Sequence, residues 1–277
     1  MQMLPDIPGI KYSDKSGLFI IAGPCVVENE KILAETASRL KDISDKYEIP
    51  MVFKASYRKA NRSRLDSFSG IGDKKALELL ASTGKQFEMP VITDIHNPDE
   101  AETAAEFADI LQIPAFLCRQ TDLLVSAART GKWINVKKGQ FLSGESMKYA
   151  AEKILNEGNN KIILTDRGNM FGYTDLVVDM RNIPIMKKLG YPVVMDITHS
   201  QQKPNQPGGI SGGDPGMIET IGRAAVAAGA DGIFIETHPR PSEALSDAEN
   251  MLHLDNFEKL AKRLKIISLT INNFKDE

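Results

Sequence analysis

The chain has 277 residues, 42% of them hydrophobic and 26% charged, with a net charge of −3; this suits a single globular α/β barrel, whose common size is about 250 residues. That charge excludes a global basic field for nucleic acid or an acidic membrane, so basic clusters are local anion sites. The two cysteines, Cys25 and Cys118, form no disulfide framework. With no leader pattern in Met1–Asp6 and no apolar run near the roughly 18 residues of a membrane span, a cytoplasmic protein is expected.

Residues 1–17 carry Pro5, Pro8 and Gly9 and are expected to plug the bottom of the fold. Eight short apolar runs then follow as strands: Leu18–Pro24, Met51–Ser56, Pro90–Ile95, Asp109–Ala115, Trp133–Lys137, Lys161–Arg167, Pro192–His199 and Gly232–His238. Near-continuous apolarity marks parallel strands buried on both faces. Helical periodicity lies between them, as in Leu33, Ala37, Leu40, Ile43 and Tyr47. Ala76, Leu79, Leu80, Thr83 and Phe87 repeat it, and Met180, Ile183, Met186 and Leu189 precede Gly190, a helix stop. Eight such units predict one (β/α)₈ barrel spanning 1–277. A doubly wound open sheet is disfavoured, because no Gly-x-Gly-x-x-Gly turn follows the first strand. Ser200 to Gly216 holds three prolines and five glycines and reads as a mobile lid loop or a plain surface loop.

Barrel enzymes build their sites at the C-terminal ends of strands, and polar residues gather there in this chain. Cys25 follows strand one; Lys54, Ser56 and then Lys59-Ala60-Asn61-Arg62-Ser63 follow strand two. Asp94 and His96, then Gln112 with Arg119 beyond, belong to strands three and four. Lys137-Lys138, Asp166-Arg167, Asp196 with His199, and Glu236 with His238 and Asp247 complete the set. A lone buried cysteine is usually a small hydrophobe, and a lone lysine a solvated charge. Convergence in one closed barrel changes both readings. Lys54, Lys59, Arg62, Arg119, Lys137 and Arg167 form a cationic set fit for two phosphates and a carboxylate. Cys25, His199, Glu236 and Asp247 form a mixed S/N/O set fit for Zn²⁺, Fe²⁺ or Mn²⁺.

Six ordered segments carry a family resemblance: Ile21-Ala22-Gly23-Pro24-Cys25; Lys59-Ala60-Asn61-Arg62-Ser63; Gln112 to Asp122; Asn135-Val136-Lys137-Lys138-Gly139-Gln140; Asp196-Ile197-Thr198-His199-Ser200; and Glu236-Thr237-His238-Pro239. Over nearly its whole length the chain resembles the 3-deoxy-D-manno-octulosonate 8-phosphate synthases. The resemblance implies a (β/α)₈ barrel, usually a homotetramer, that joins phosphoenolpyruvate to D-arabinose 5-phosphate for lipopolysaccharide synthesis. Cysteine after Gly-Pro, where other members carry asparagine, implies the metal-dependent form, with Cys25, His199, Glu236 and Asp247 as ligands. Lys54, Ser56, Gln112, Lys137 and Arg167 match the phosphoenolpyruvate site, with Lys59 and Asp94 beside it. Asn61, Arg62 and Ser63 match the pentose phosphate site, and Arg119 would reach the sugar phosphate of a neighbouring subunit. His199, Lys59, Asp94 and Asn61 are the catalytic candidates.

Three departures stand out: Arg64 after Ser63, Asp166 where the family usually has glutamate, and Asp214-Pro215-Gly216 where basic residues are usual. The nearest rival is the heptulosonate 7-phosphate synthase that uses erythrose 4-phosphate. Its matching segment reads Lys-Pro-Arg-Thr-Ser, so Asn61 favours the pentose. A sialic acid synthase fits less well, its acceptor having no phosphate. A non-catalytic barrel that senses a phosphometabolite would not need Lys54, Lys137, Arg167 and His199 together.

Overall fold

A computed structural model describes residues 4–60, 67–173, 175–206 and 210–274, without side chains at 204–206 and 210–211. Asn61, Arg62, Ser63 and the departure at Arg64 lie outside the described residues.

Eight parallel strands close on themselves. They are β1 (Phe19–Gly23), β2 (Met51–Lys54), β3 (Val91–Asp94), β4 (Ile110–Ile113), β5 (Trp133–Lys137), β6 (Ile162–Asp166), β7 (Val193–Asp196) and β8 (Gly232–His238). Each pairs with the next, and β8 closes on β1 with Phe19 opposite Gly232 and Gly23 opposite Glu236. The helices that pack around them are α1 (Glu30–Tyr47), α2 (Asp73–Gln86), α3 (Glu100–Phe107), α4 (Thr121–Arg129), α5 (Met147–Leu155), α6 (Asn182–Lys187), α7 (Ile218–Ala227) and α8 (Phe257–Asn273). Asn29 caps α1 by accepting from the Ile32 backbone N–H, satisfying an otherwise orphaned donor. The periodic residues Leu33, Ala37, Leu40 and Ile43 are all buried against the barrel.

The barrel interior is a separate apolar layer of Phe19, Ile21, Val52, Ile92, Ile110, Ile163, Val194 and Phe234. Ile7 of the N-terminal extension is buried in that layer, with Leu4 and Ile10 against it. Trp133 Nε1 donates to the Asp6 carbonyl at 3.1 Å. The extension therefore caps the barrel bottom and leaves the strand C-termini free for a site.

Several strands are shorter than their apolar runs. Pro192–His199 yields only Val193–Asp196, because the Thr198 and His199 N–H groups turn back to Asp196 Oδ1 at 3.1 and 2.8 Å. Asp109–Ala115 stops at Ile113, where Ala115–Leu117 forms a 3₁₀ turn. The segment 200–216 departs from a uniform loop. Gln202–Gln206 and Ile210–Gly213 pair as an antiparallel ribbon with an irregularity between Lys203 and Gln206. Asp214-Pro215-Gly216 leads into the next helix through the 3₁₀ turn Pro215–Met217.

Candidate active site

A pocket of about 380 Å³ opens at the C-terminal ends of the strands, lined by Lys54, Lys59, Asp94, Gln112, Lys137, Arg167, His199, Gln202, Glu236 and Asp247, among others. Backbone geometry sets its first wall. Gly23 runs so close to β2 that a Cβ there would sit 2.0 Å from the Lys54 carbonyl oxygen. Only glycine permits this approach, which directs the chain through Pro24 to Cys25.

Charge is paired tightly here. Lys54 Nζ donates to Glu236 Oε1 at 2.5 Å and to the Cys25 carbonyl at 2.8 Å. Lys137 Nζ meets Asp196 Oδ2 at 2.7 Å and stands 3.6 Å from the centre of the Phe234 ring. Asp196 also holds His199 Nδ1 at 2.7 Å, which leaves Nε2 directed 3.4 Å from Glu236 Oε2. Burial favours neutral carboxyls at Glu236 and Asp196, yet both are held below the usual carboxylate range. His199, Lys54 and Lys59 outweigh burial at Glu236, and His199 and Lys137 at Asp196. Burial pushes the Lys137 amine down, with Arg167 adding to the effect against the pull of Asp196. Burial also lowers Lys59, but the carboxylates of Glu236, Asp247 and Asp94 raise it overall.

The long connection after β8 delivers the last group. It rejoins β8 with Leu252 opposite Thr237 and His253 opposite His238, and Glu28 Oε1 accepts from the Leu245 N–H at 2.9 Å. Between these anchors Asp247 takes a left-handed backbone, φ 52°, uncommon for a residue with a side chain. Its Oδ2 lies 2.9 Å from Cys25 Sγ, and Ser246 Oγ lies 3.1 Å from the same sulfur.

Cys25, Glu236 and Asp247 place one donor atom each within 4.8 Å of one another. His199 stands beside this triad, at Glu236, rather than within the same cluster. Glu236 Oε2 is buried with no hydrogen-bond partner. Burial, then the charges of Asp247 and Glu236, push the Cys25 thiol well up. A cation would relieve all of these, and a thiolate with carboxylates and imidazole suits a borderline divalent ion. The residues therefore fit the metal that the family resemblance implies.

The structure brings Lys54, Lys59, Asp94, Gln112, Lys137, Arg167 and His199 to one pocket wall. Ser56 is buried behind Asp94 and donates to it. Arg119 is exposed, away from this wall. Lys138 turns away from the site: it is fully buried, 3.2 Å from Asp166, and donates to the Gly168 carbonyl and Asn169 Oδ1. Sequence reasoning missed Gln202, whose Oε1 accepts from Arg167 Nη2 at 2.5 Å and whose Nε2 lies 3.3 Å from Asp247 Oδ1. It also missed Asn135 and Thr165, buried polar residues inside apolar strand runs, and that incongruity was the available signal.

A closed barrel with a cation-lined pocket and a borderline-metal donor set at its strand ends defines a class of anion-binding α/β-barrel enzymes. Within that class, the sequence pattern of the DAHP synthetase I family matches residues 6–272, and the chain belongs to that family. Its relatives include proteins named 2-dehydro-3-deoxyphosphooctonate aldolase. The one from Geobacter sp. (strain M21) is 51% identical over 96% of this chain and 97% of its own length. That of Protochlamydia amoebophila (strain UWE25) is 49% identical over 91% of both chains, and that of Geobacter sulfurreducens (strain ATCC 51573 / DSM 12127 / PCA) 48% over 96% and 97%.

Proposed function

We propose that this protein condenses phosphoenolpyruvate with D-arabinose 5-phosphate and water. The products are 3-deoxy-D-manno-octulosonate 8-phosphate, a lipopolysaccharide precursor, and inorganic phosphate. The observation that carries the reading is the single strand-end pocket in which Lys54, Lys59, Lys137 and Arg167 converge with His199, Asp94 and Glu236. The names of the 2-dehydro-3-deoxyphosphooctonate aldolase relatives support it. A cytoplasmic location belongs to the same reading, because phosphoenolpyruvate is a cytoplasmic metabolite.

The methylene carbon of phosphoenolpyruvate attacks the aldehyde carbon. Water adds to the enol carbon, and the C–O bond to phosphate breaks. Lys137 and Arg167 are both lowered by burial, so a bound anion stabilises their charged forms and is held in return. Fixed in this way, the enol face is presented to the aldehyde at attack distance. Asp94 is held ionised, against burial, by Lys54, Lys59, His96 and Lys137. It is an acceptor at the pocket wall, placed to orient a hydrogen donor such as the attacking water. Lys59 stands beside the phosphoenolpyruvate site, Asn61, Arg62 and Ser63 take the pentose phosphate, and Arg119 extends to the sugar phosphate of a neighbouring subunit in a homotetramer. Cys25, His199, Glu236 and Asp247 would hold Zn²⁺, Fe²⁺ or Mn²⁺, which supplies Lewis acidity for the aldehyde or a template for the water. The segment 200–216 acts as the lid that keeps bulk water out.

The test is phosphate release from phosphoenolpyruvate with arabinose 5-phosphate and, separately, erythrose 4-phosphate, before and after chelation. Activity with the pentose, lost on chelation and restored by a divalent ion, is expected. Turnover with erythrose 4-phosphate alone sinks the acceptor assignment. Full activity after exhaustive chelation sinks the metal.

A further inference from the structure

Five buried polar side chains form a continuous arc across the ends of β2 to β6. Ser56 and Gln112 both donate to Asp94, at Oδ2 and Oδ1 respectively. Gln112 Oε1 accepts from Asn135 Nδ2 at 2.8 Å, and Asn135 Oδ1 accepts from the Thr165 hydroxyl at 2.6 Å. Asp94, Gln112 and Asn135 are opposite one another on three adjacent strands. Asn135 and Thr165 are fully buried and take no part in the pocket wall.

The direction of each link follows from its ends. An ionised carboxylate only accepts, so Gln112 must turn its NH₂ to Asp94. An amide has one donor end and one acceptor end, so Gln112 Oε1 then needs a donor, which Asn135 supplies with its own NH₂. Asn135 Oδ1 in turn needs the Thr165 hydroxyl proton. Reversing one link would set two acceptors face to face where burial leaves little water to compensate.

We propose that Asn135 and Thr165 are positioning residues for the condensation. Acting through Gln112, they fix which end of its amide meets Asp94 and hold that carboxylate as an oriented acceptor at the reacting centre. The inference rests on the proposed function only for its activity readout. Thr165 is the distant end of the arc, so its influence on turnover travels through three hydrogen bonds and no substrate contact.

Three variants test this: Thr165→Val, Thr165→Ser and Asn135→Asp. Thr165→Val is nearly isosteric and removes the terminal donor, so kcat is expected to fall about tenfold, the worth of one buried hydrogen bond. Thr165→Ser restores the hydroxyl and is expected to restore kcat. Asn135→Asp replaces a donor with an acceptor, and the arc then works only while position 135 carries a proton. Its kcat is expected to gain a limb, absent from wild type, that falls as pH rises. Lys54, Lys59, His96 and Lys137 face Asp94, Asp166 follows Thr165 in β6, and all are unchanged in these variants. A merely structural role lowers the thermal midpoint without the new limb or the serine rescue. Wild-type kcat in Thr165→Val, or a wild-type pH profile in Asn135→Asp, overturns the proposal. If the wild-type chain releases no phosphate, the functional reading has failed, and crystal structures of Asn135→Asp at low and at high pH decide the arc. Gln112 and Asp94 in contact at low pH and parted at high pH supports the arc, and both side chains unmoved across that range overturns it.

Discussion

Cys25 and Asp247 stand 222 positions apart in sequence, yet the thiol sulfur and Asp247 Oδ2 are 2.9 Å apart. The contact joins the turn after β1 to the connection after β8, which are neighbours only because the barrel closes. Burial and the adjoining carboxylates keep the thiol protonated, so metal binding must release that proton. Apparent metal affinity is therefore expected to weaken as pH falls, by about tenfold per pH unit for one proton released. Titration of metal-stripped protein at several pH values measures this. Cobalt substitution should add a thiolate charge-transfer band that Cys25→Ser loses. A band that persists in Cys25→Ser would remove Cys25 from the ligand set.

Gln202 links the cationic and acidic halves of the pocket, with Arg167 on its Oε1 and Asp247 near its Nε2. Gln202→Ala leaves both without this partner. A hydrogen bond to a charged group is worth about 1.5–3 kcal/mol, so kcat/KM is expected to fall roughly tenfold to a hundredfold. Because Gln202 both lines the pocket and begins the ribbon proposed as a lid, hydrogen exchange over 200–216 should slow on substrate binding in wild type and change less in the variant. Steady-state kinetics and exchange mass spectrometry read the two effects, and unchanged exchange in wild type removes the lid.

The Lys54–Glu236 ion pair is almost wholly buried, with side-chain exposures of 1% and 0%. Removing one partner strands the other, a loss of about 3–5 kcal/mol. Lys54→Met is expected to lower the denaturant midpoint accordingly. Lys54→Met combined with Glu236→Leu should recover much of that stability while remaining inactive. A double variant no more stable than the single one would show that packing, rather than the stranded charge, is responsible.

Asp196 contributes to stability in a pH-dependent way. Burial raises its carboxyl, but His199 and Lys137 lower it further, so its folded value lies below the ordinary one. A depressed carboxyl stabilises fully above its unfolded value of about 4 and loses that contribution as pH falls toward the folded value. Asp196→Asn is thus expected to be less stable than wild type at neutral pH and to converge on it below about pH 4. Thermal midpoints of both proteins against pH supply the check, and a constant gap across the acid range refutes it.

Much of this architecture is legible in the sequence, because buried parallel strands are apolar runs and core-facing helices repeat every 3.6 residues. The runs around Ile20, Val52 and Ile233 mark β1, β2 and β8 directly. Strand ends are less legible: Asp196 stops β7 by accepting from the two N–H groups that follow it, a local competition that apolarity does not encode. The pairing of Gln202–Gln206 with Ile210–Gly213 is not legible in the sequence, because Gly and Pro mask it. Lys137 and Lys138 are adjacent in the sequence, but strand alternation sends adjacent side chains to opposite faces, and Lys138 pairs with Asp166.

By itself the sequence determined the number of units, the apolar faces, and the residue types available at each strand end. It also supplied the ordered segments that identify the family. Tertiary structure alone decided which of those residues meet. Closure of β8 on β1 puts Glu236 opposite Gly23, and the return of the chain at Leu252 sets Asp247 against Cys25. The packing of β2 to β6 turns five separate polar residues into one hydrogen-bonded arc. These are contacts between distant parts of the chain, and their energies depend on burial and partner geometry that exist only once the barrel has closed.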